Sequence, residues 1–249
     1  MEGPLFWLLA VLAAMLVGAG KGGLPVVGMM GVPVLSLAIS PVTAAGLLLP
    51  IYVLSDIFGL YAYRHSFDKR VVAIMAVGMT VGVGIGWATA RIVPEPLVTA
   101  IIGAIGTVFA LNLLIRRQAA AAPRRAEVAP GVFWGAVTGF TSFVSHSGAP
   151  PYQVYVLPLQ LEKAVFAGTG TIAFAYVNAI KLIPYWHLGQ LSPGNLKVAA
   201  FLAVPAVLAV FGGVRLVRII PERLFFRIVT WALLFISVWL MWKGLRGLA

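Results

Sequence analysis

Cysteine is absent from this chain of 249 residues, and charged residues make up only 10% of it. The lack of thiols excludes disulfides, thiolate catalysis and cysteine-bound metals. Soluble domains carry about 25% charged residues, whereas 61% of this chain is hydrophobic. The composition therefore excludes a soluble domain and predicts an integral membrane protein.

Charge is missing altogether from four long stretches, and each approaches the roughly 20 apolar residues that a spanning helix needs. Because lipid requires backbone groups to be satisfied within helices, these stretches predict an all-α polytopic integral membrane protein. The net charge is +11, and the basic residues lie between the apolar runs. They therefore indicate membrane topology and not nucleic-acid binding. We expect the N-terminal segment to be retained, since it lacks a basic n-region. The uncharged stretches are 71–90, 96–115, 164–180 and 198–214.

One strongly polar linker, residues 116–130, separates an N-terminal transmembrane repeat (1–115) from a C-terminal one (131–249). The sequence "ARIVPEPL" from Ala90 matches "VRIIPERL" from Val217, and similar matches predict an internal repeat. Each half contains five hydrophobic segments. In the first half these are 5–20, 24–38, 41–63, 71–91 and 96–115, and in the second 131–145, 150–160, 163–186, 195–215 and 223–245.

Five segments is an odd number, so the two halves should be inverted relative to each other. Positive residues mark cytoplasmic loops, and they occur in loop 64–70 and in the linker. The repeat counterpart of that loop, 187–195, contains no Lys or Arg, whereas 215–223 contains three arginines. This reversal is the pattern that inversion predicts, and it places both termini outside.

Glycine and proline interrupt the first two segments of each half, at "GAGKGGLP" from Gly18 and at "SGAPP" from Ser147. Short, interrupted segments in corresponding positions of two halves indicate the binding site of a transporter. We therefore predict broken or re-entrant hairpins at these places. Ordinary tilted helices with a turn at Lys21 are the alternative.

Lys21 is the only charge between Glu2 and Asp56. A lysine inside a bilayer normally faces a cavity or a partner and marks a functional site. The following Gly22 and Gly23 would let an anion approach the backbone, so we predict all three in a substrate site. In the alternative, the Lys21 side chain extends to the headgroups.

His146 corresponds to Lys21 in the repeat, and Ser145 and Ser147 flank it. An imidazole can donate to an anion or carry a coupling proton. We predict these three residues in the substrate site, with a histidine packed in the core as the alternative.

Asp56 and Asn178 form a second matched pair, in the third segment of each half. Asp56 is too deep to reach headgroups easily, so we expect it to neutralise Lys21 or to carry a proton. Asn178, Thr169 and Thr171 are candidate hydrogen-bond donors to an anion, or contacts between helices. Lys181 lies near the end of its segment, and we expect it to extend to the membrane surface, with a place in the site as the alternative.

The chain resembles the sulfite exporter TauE/SafE family over nearly its whole length. The similar features are the openings "GAGKGG" and "FVSHSGAPP", Pro33 and Pro158 in the following segments, and the third-segment starts "SPVTAAG" and "EKAVFAGTGT". Lys21 interrupts the family's usual run of glycines. The resemblance implies export of sulfite or organosulfonates across the bacterial inner membrane.

These observations together predict a multi-pass secondary transporter that exports small anions, namely sulfite, sulfonates or related carboxylates, with proton coupling through Asp56 or His146. No enzyme activity, cofactor or metal is expected. The expected partners are the anionic substrate and the lipid bilayer, and a homo-oligomer is compatible with the sequence. The alternatives are a passive anion channel, a membrane assembly subunit or, less favoured, an intramembrane hydrolase using a serine beside His146, because adjacent residues align poorly as nucleophile and base.

Overall fold

The computed structural model describes residues 3–39, 41–90, 92–115, 123–189, 191 and 193–248, and every regular element in these ranges is helical. The predicted all-α class is confirmed. A 3₁₀ turn, Leu157–Leu159, follows α8. The helices are α1 (Pro4–Lys21), α2 (Pro25–Gly28), α3 (Gly31–Leu35), α4 (Pro41–Tyr63), α5 (Lys69–Thr89), α6 (Glu95–Ile115), α7 (Val128–Ser145), α8 (Ala149–Val156), α9 (Lys163–His187), α10 (Pro193–Ile219) and α11 (Glu222–Arg246).

Within the described residues, eight helices are long and apolar enough to cross a membrane. They are α1, α4 to α7 and α9 to α11, so the predicted polytopic membrane protein is confirmed at this level. The bounds of α4 are those predicted for the third segment. The second segment of each half is the exception, because α2, α3 and α8 are too short to span. Residues 116–122 of the predicted linker lie outside the described residues, and α7 begins at Val128, inside the predicted linker.

The interruptions occur after the first segment of each half, whereas α1 and α7 are themselves continuous helices of 18 residues. Two residues after the end of α1, Gly23 has a φ of +108°, a backbone conformation that residues with a Cβ rarely adopt. His146, the residue after α7, has a φ of 53°, and a left-handed residue at this position commonly ends a helix. A proline is the first residue of α2 and the second residue of α8, because a missing N–H costs nothing in the first turn of a helix.

Two compact units make up the fold. The first comprises Met1–Phe67 and Ala164–Ile219, and the second comprises Asp68–Lys163 and Ile220–Ala249. Each unit therefore combines helices from both halves of the sequence.

In the first unit, α2 and α3 fold back along α1 as a hairpin. A Cβ added at Gly20 would lie 2.5 Å from the Cα of Gly28, and one added at Gly31 would lie 3.2 Å from the carbonyl oxygen of Ala13. The small residues let the two backbones approach closely. Buried residues of α1 and α3 in this hairpin form one hydrophobic core with residues of α4 and α10, among them Ala14 and Leu48.

Close contacts fix the direction of the longer helices in the first unit. Gly18 packs on Ala206 and Gly22 on Gly213, so α1 and α10 run in the same direction. Asp56 contacts Asn178, and Gly59 packs on Thr171, so sequence position rises along α4 as it falls along α9. α4 and α9 are therefore antiparallel.

The second unit repeats this arrangement with other helices. Gly78 packs on Ala136 and Gly82 on Phe140, so α5 and α7 run in the same direction. α6 and α11 are antiparallel, since a Cβ added at Gly103 or at Gly244 would meet the other helix in reverse order. α8 packs against α7 and α6.

Candidate functional site

Lys21, the last residue of α1, forms an ion pair inside the first unit. Its Nζ lies 2.6 Å from Oδ1 of Asp56 in α4, and both side chains are only 6% exposed. The ammonium group is therefore held among the helices. The alternative in which Lys21 extends to the headgroups is wrong, because its partner lies seven residues before the end of α4.

Asn178 completes the immediate surroundings of the carboxylate. Its Nδ2 donates a hydrogen bond of 2.9 Å to Oδ2 of Asp56, so the two carboxylate oxygens have different partners. The side chain of Asn178 is buried on α9. Asp56 and Asn178, which correspond to each other in the two predicted halves, are therefore in direct contact.

Hydrogen bonds from neighbouring helices hold the end of α1 in position. Helix ends leave carbonyl groups without partners inside the helix. Thr171 donates to the carbonyl oxygen of Lys21 at 3.2 Å, and the Tyr63 hydroxyl donates to that of Gly22 at 2.7 Å. One further tyrosine, Tyr52, donates to the carbonyl oxygen of Gly28 in the hairpin at 2.7 Å.

Gly59 permits the close approach of the three helices that carry the site. A Cβ at this position would lie 3.0 Å from the backbone oxygen of Lys21 and 2.7 Å from Cγ2 of Thr171. A larger residue would separate α4 from α1 and α9. The sequence analysis missed Gly59, although it lies one turn after Asp56 and on the same helix face.

Gly22 and Gly23 are already engaged in this structure. The N–H of Gly22 donates to Gly18 at 2.9 Å and that of Gly23 donates to Gly20 at 3.2 Å. A Cβ on Gly22 would meet the backbone of Gly213, so this glycine serves close helix packing. Their N–H groups therefore do not point freely toward a ligand in this conformation.

Lys181 is the main residue that the sequence analysis misjudged. It is completely buried, so the expectation that it extends to the membrane surface is wrong. It lies one turn after Asn178 on α9, with its Nζ 6.0 Å from the centre of the Tyr185 ring. Its side chain lies within electrostatic range of both Lys21 and Asp56. The spacing of three residues from Asn178 was the signal that could have identified it.

Two aromatic rings lie near the ammonium of Lys21. Its Nζ lies 5.4 Å from the centre of the Tyr52 ring and 5.9 Å from that of Phe174. The negative face of an aromatic ring stabilises a cation at such distances. Thr169, another predicted site residue, is fully buried on α9 in the same unit.

His146, Ser145 and Ser147 lie in the second unit, at the turn between α7 and α8. His146 and Ser147 are buried. The Ser147 hydroxyl donates to the carbonyl oxygen of Ser145 at 3.2 Å, and the Ser145 hydroxyl donates to that of Thr141 at 3.3 Å. The prediction that these residues share a site with Lys21 stays a prediction.

The second unit also holds a buried polar residue that the sequence analysis did not single out. Gln153 of α8 is fully buried, and neither atom of its amide has a hydrogen-bond partner. Among the described residues, no group of three His, Asp or Glu side chains is arranged to hold a metal ion.

The fold and the buried ion pair describe a polytopic helical membrane protein with a charged centre inside one of its units. The family model for sulfite exporter TauE/SafE matches residues 6–240, so the chain belongs to this family and is a multi-pass membrane transporter. Comparison with curated proteins and with solved structures found no significant match. The predicted family membership is confirmed.

Proposed function

We propose that this chain is a secondary exporter of small anions, namely sulfite, sulfonates or related carboxylates, in the bacterial inner membrane. The observation that carries the proposal is the buried ion pair between Lys21 and Asp56, whose charged atoms are 2.6 Å apart within a unit of membrane-spanning helices. Charges inside a membrane protein are costly and usually belong to a substrate or ion pathway.

In this proposal Asp56 acts as the resident counter-ion of Lys21. A carboxylate resembles the substrate anion in charge and in hydrogen-bond acceptors. An arriving sulfonate or sulfite would take over the Lys21 ammonium, and Asn178 would keep Asp56 in place. Lys21 and Asn178 supply the donors that now contact Asp56.

Helix directions support the proposed inverted repeat. By sequence correspondence, α4 and α9 are equivalent helices of the two halves, and they run antiparallel. The pair α1 and α10 corresponds to the pair α7 and α5, and both pairs run parallel. Halves with equal orientation would make α4 and α9 parallel. Inverted repeats favour alternating access over a static pore.

The second half contributes His146, Ser145 and Ser147 in this proposal, because transporter sites form between repeats. His146 and Asp56 are the candidates for carrying a coupling proton. A carboxylic acid at position 56 would no longer hold Lys21, so proton uptake would release the ammonium for the substrate.

Ligand binding to purified protein tests the proposal directly. A ligand that binds only the folded state raises the melting temperature. We expect sulfite, methanesulfonate or acetate to stabilise the wild type, and Lys21→Gln to abolish the response. Lys197→Gln, at an exposed lysine of the same unit, is the matched control. A wild type that responds to none of these anions contradicts the proposed function.

A further inference from the structure

Four exposed basic side chains lie close together at one end of the second unit. Arg70 is the second residue of α5, and its Nε donates a hydrogen bond of 3.1 Å to the carbonyl oxygen of Ala126, just before α7. This contact brings the start of α5 beside the chain that leads into α7. The four side chains, which we call the basic patch, are Lys69, Arg70, Arg124 and Arg125.

The basic patch lies where two helices that are long enough to span a membrane begin. α5 and α7 run in the same direction and pack closely, and a Cβ added at Gly135 would lie 2.7 Å from the carbonyl oxygen of Met75. Gly135 and Met75 are at similar distances from the starts of their helices, so the two starts lie side by side. Parallel helices that start side by side begin at the same membrane surface. The basic patch is therefore level with the lipid headgroups.

Hydrogen bonds hold the backbone of the patch in position. The N–H of Arg124 donates to the carbonyl oxygen of Pro158 at 3.0 Å. The Tyr155 hydroxyl donates to the carbonyl oxygen of Glu127 at 2.9 Å. These two bonds fix residues 124–127 against α8 and the turn that follows it. The backbone does not have to be ordered when a ligand arrives, which lowers the cost of binding.

The positive charge of the patch is not neutralised by its neighbours. Only two acidic residues, Asp68 and Glu127, adjoin it in sequence. The carboxylate of Asp68 accepts a hydrogen bond from the N–H of Val71 at the start of α5. Within the part of the chain that the structure describes, none of the four basic side chains forms an ion pair. A net positive charge therefore remains at the level of the headgroups.

We propose that the basic patch binds the phosphate headgroup of an anionic phospholipid. A guanidinium group matches the geometry of phosphate oxygens, and basic clusters beside a membrane-spanning helix attract anionic lipids. The bound lipid links the start of α5 to residues 124–127 and stabilises the second unit. This inference goes beyond the proposed function and does not depend on it.

The test compares lipids that differ in the charge of the headgroup. Phosphatidylglycerol or phosphatidylcholine with the same acyl chains is titrated into the purified protein in neutral detergent, and the melting temperature is followed. The dose that gives half of the rise measures the apparent affinity. Phosphatidylglycerol should stabilise the wild type, whereas phosphatidylcholine should not. Inorganic phosphate at the same concentration should have no effect, because it lacks the acyl chains that hold the headgroup at the surface.

The variants remove charge from side chains that hold no other part of the fold. The side chains of Lys69 and Arg125 form no hydrogen bond or ion pair with another described residue. Lys69→Gln/Arg125→Gln should therefore fold as the wild type does and should weaken phosphatidylglycerol binding by at least about tenfold. Each single variant should weaken it by a few-fold, so the result does not depend on the double variant alone. Lys69→Arg/Arg125→Lys keeps both charges and should bind as the wild type does.

Arg223→Gln/Arg227→Gln is the matched control, because it removes two exposed arginines from α11 in the same unit. It should leave the response to phosphatidylglycerol unchanged. A wild type that does not respond to this lipid overturns the inference, and so does an unchanged response in the patch variants. Equal losses in the patch and control variants indicate attraction by net charge alone and also overturn it. Stabilisation by inorganic phosphate would assign the patch to a free anion and not to a lipid. None of these outcomes bears on anion binding at Lys21, so the proposed function is tested separately.

Discussion

Asn178 donates a 2.9 Å hydrogen bond to Asp56 across 122 residues of sequence. The two residues occupy corresponding positions in the third segments of the two halves. A contact between equivalent residues places them near the axis that would relate the halves. Under the proposed inverted repeat, the ion pair of Asp56 with Lys21 lies where such a transporter binds its substrate.

The ion pair should contribute to stability through the balance of charge. Lys21→Met leaves the carboxylate of Asp56 without its cation and should lower the free energy of unfolding by about 3 to 5 kcal/mol. Lys21→Met combined with Asp56→Asn should cost less, because no unmatched carboxylate remains. Denaturant unfolding in detergent measures both. Equal losses in the single and the double variant would contradict the pairing.

Tyr63 should stabilise the end of α1 through its hydroxyl group. Tyr63→Phe removes the hydrogen bond to the carbonyl of Gly22 and should lower the free energy of unfolding by about 1 kcal/mol. Tyr61→Phe, two residues away and exposed, is the control and should be neutral. Thermal unfolding of the two variants side by side would show the difference, and a neutral Tyr63→Phe would count against the contact.

The hairpin of α1 with α2 should depend on the absence of a side chain at Gly20. In Gly20→Ala the new Cβ meets the backbone of Gly28, and overpacking of this kind costs about 1 to 3 kcal/mol. Gly212→Ala, on α10 of the same unit, has open space around its Cβ and should be neutral or slightly stabilising. Melting temperatures of the two alanine variants test this expectation.

Inversion of the halves can be tested with single cysteines, because the chain contains none of its own. His65 and His187 are equivalent positions in the two halves, and both are exposed. In His65→Cys the thiol should be protected from a membrane-impermeant maleimide applied to intact cells, whereas in His187→Cys it should be labelled. Labelling of both, or of neither, indicates equal orientation.

Proton coupling should depend on Asp56. Within the described part of the chain, the charged and titratable side chains that interact with it electrostatically include Lys21, Lys181 and Tyr52. An imposed pH gradient should change sulfite flux into proteoliposomes several-fold for the wild type and have little effect on Asp56→Asn. A matched His146→Gln variant separates the two candidate proton carriers. A wild-type sulfite flux that does not change with the pH gradient excludes proton coupling.

Much of the fold follows from composition alone. Long apolar runs must form helices in lipid, so the bounds of α4 and the class of the protein could be read from hydrophobicity. Glycine and proline showed where the chain is interrupted, because their backbone effects are local. The correspondence of Asp56 with Asn178 was also visible, since a repeat is a property of sequence.

The arrangement of the charges required the tertiary structure. Lys181 near the end of a helix could extend outward or face inward, and the sequence is compatible with both. Which way it points depends on how α9 is rotated, and packing against neighbours decides that rotation. The approach of α4 to α1 at Gly59 likewise depends on three backbones meeting. Sequence alone determined the membrane-spanning helices and the family, because these depend on local hydrophobicity and motif order. Only the tertiary structure decided that Lys21, Asp56 and Asn178 are in contact and that Lys181 is buried in the same unit, because long-range packing brings these residues together.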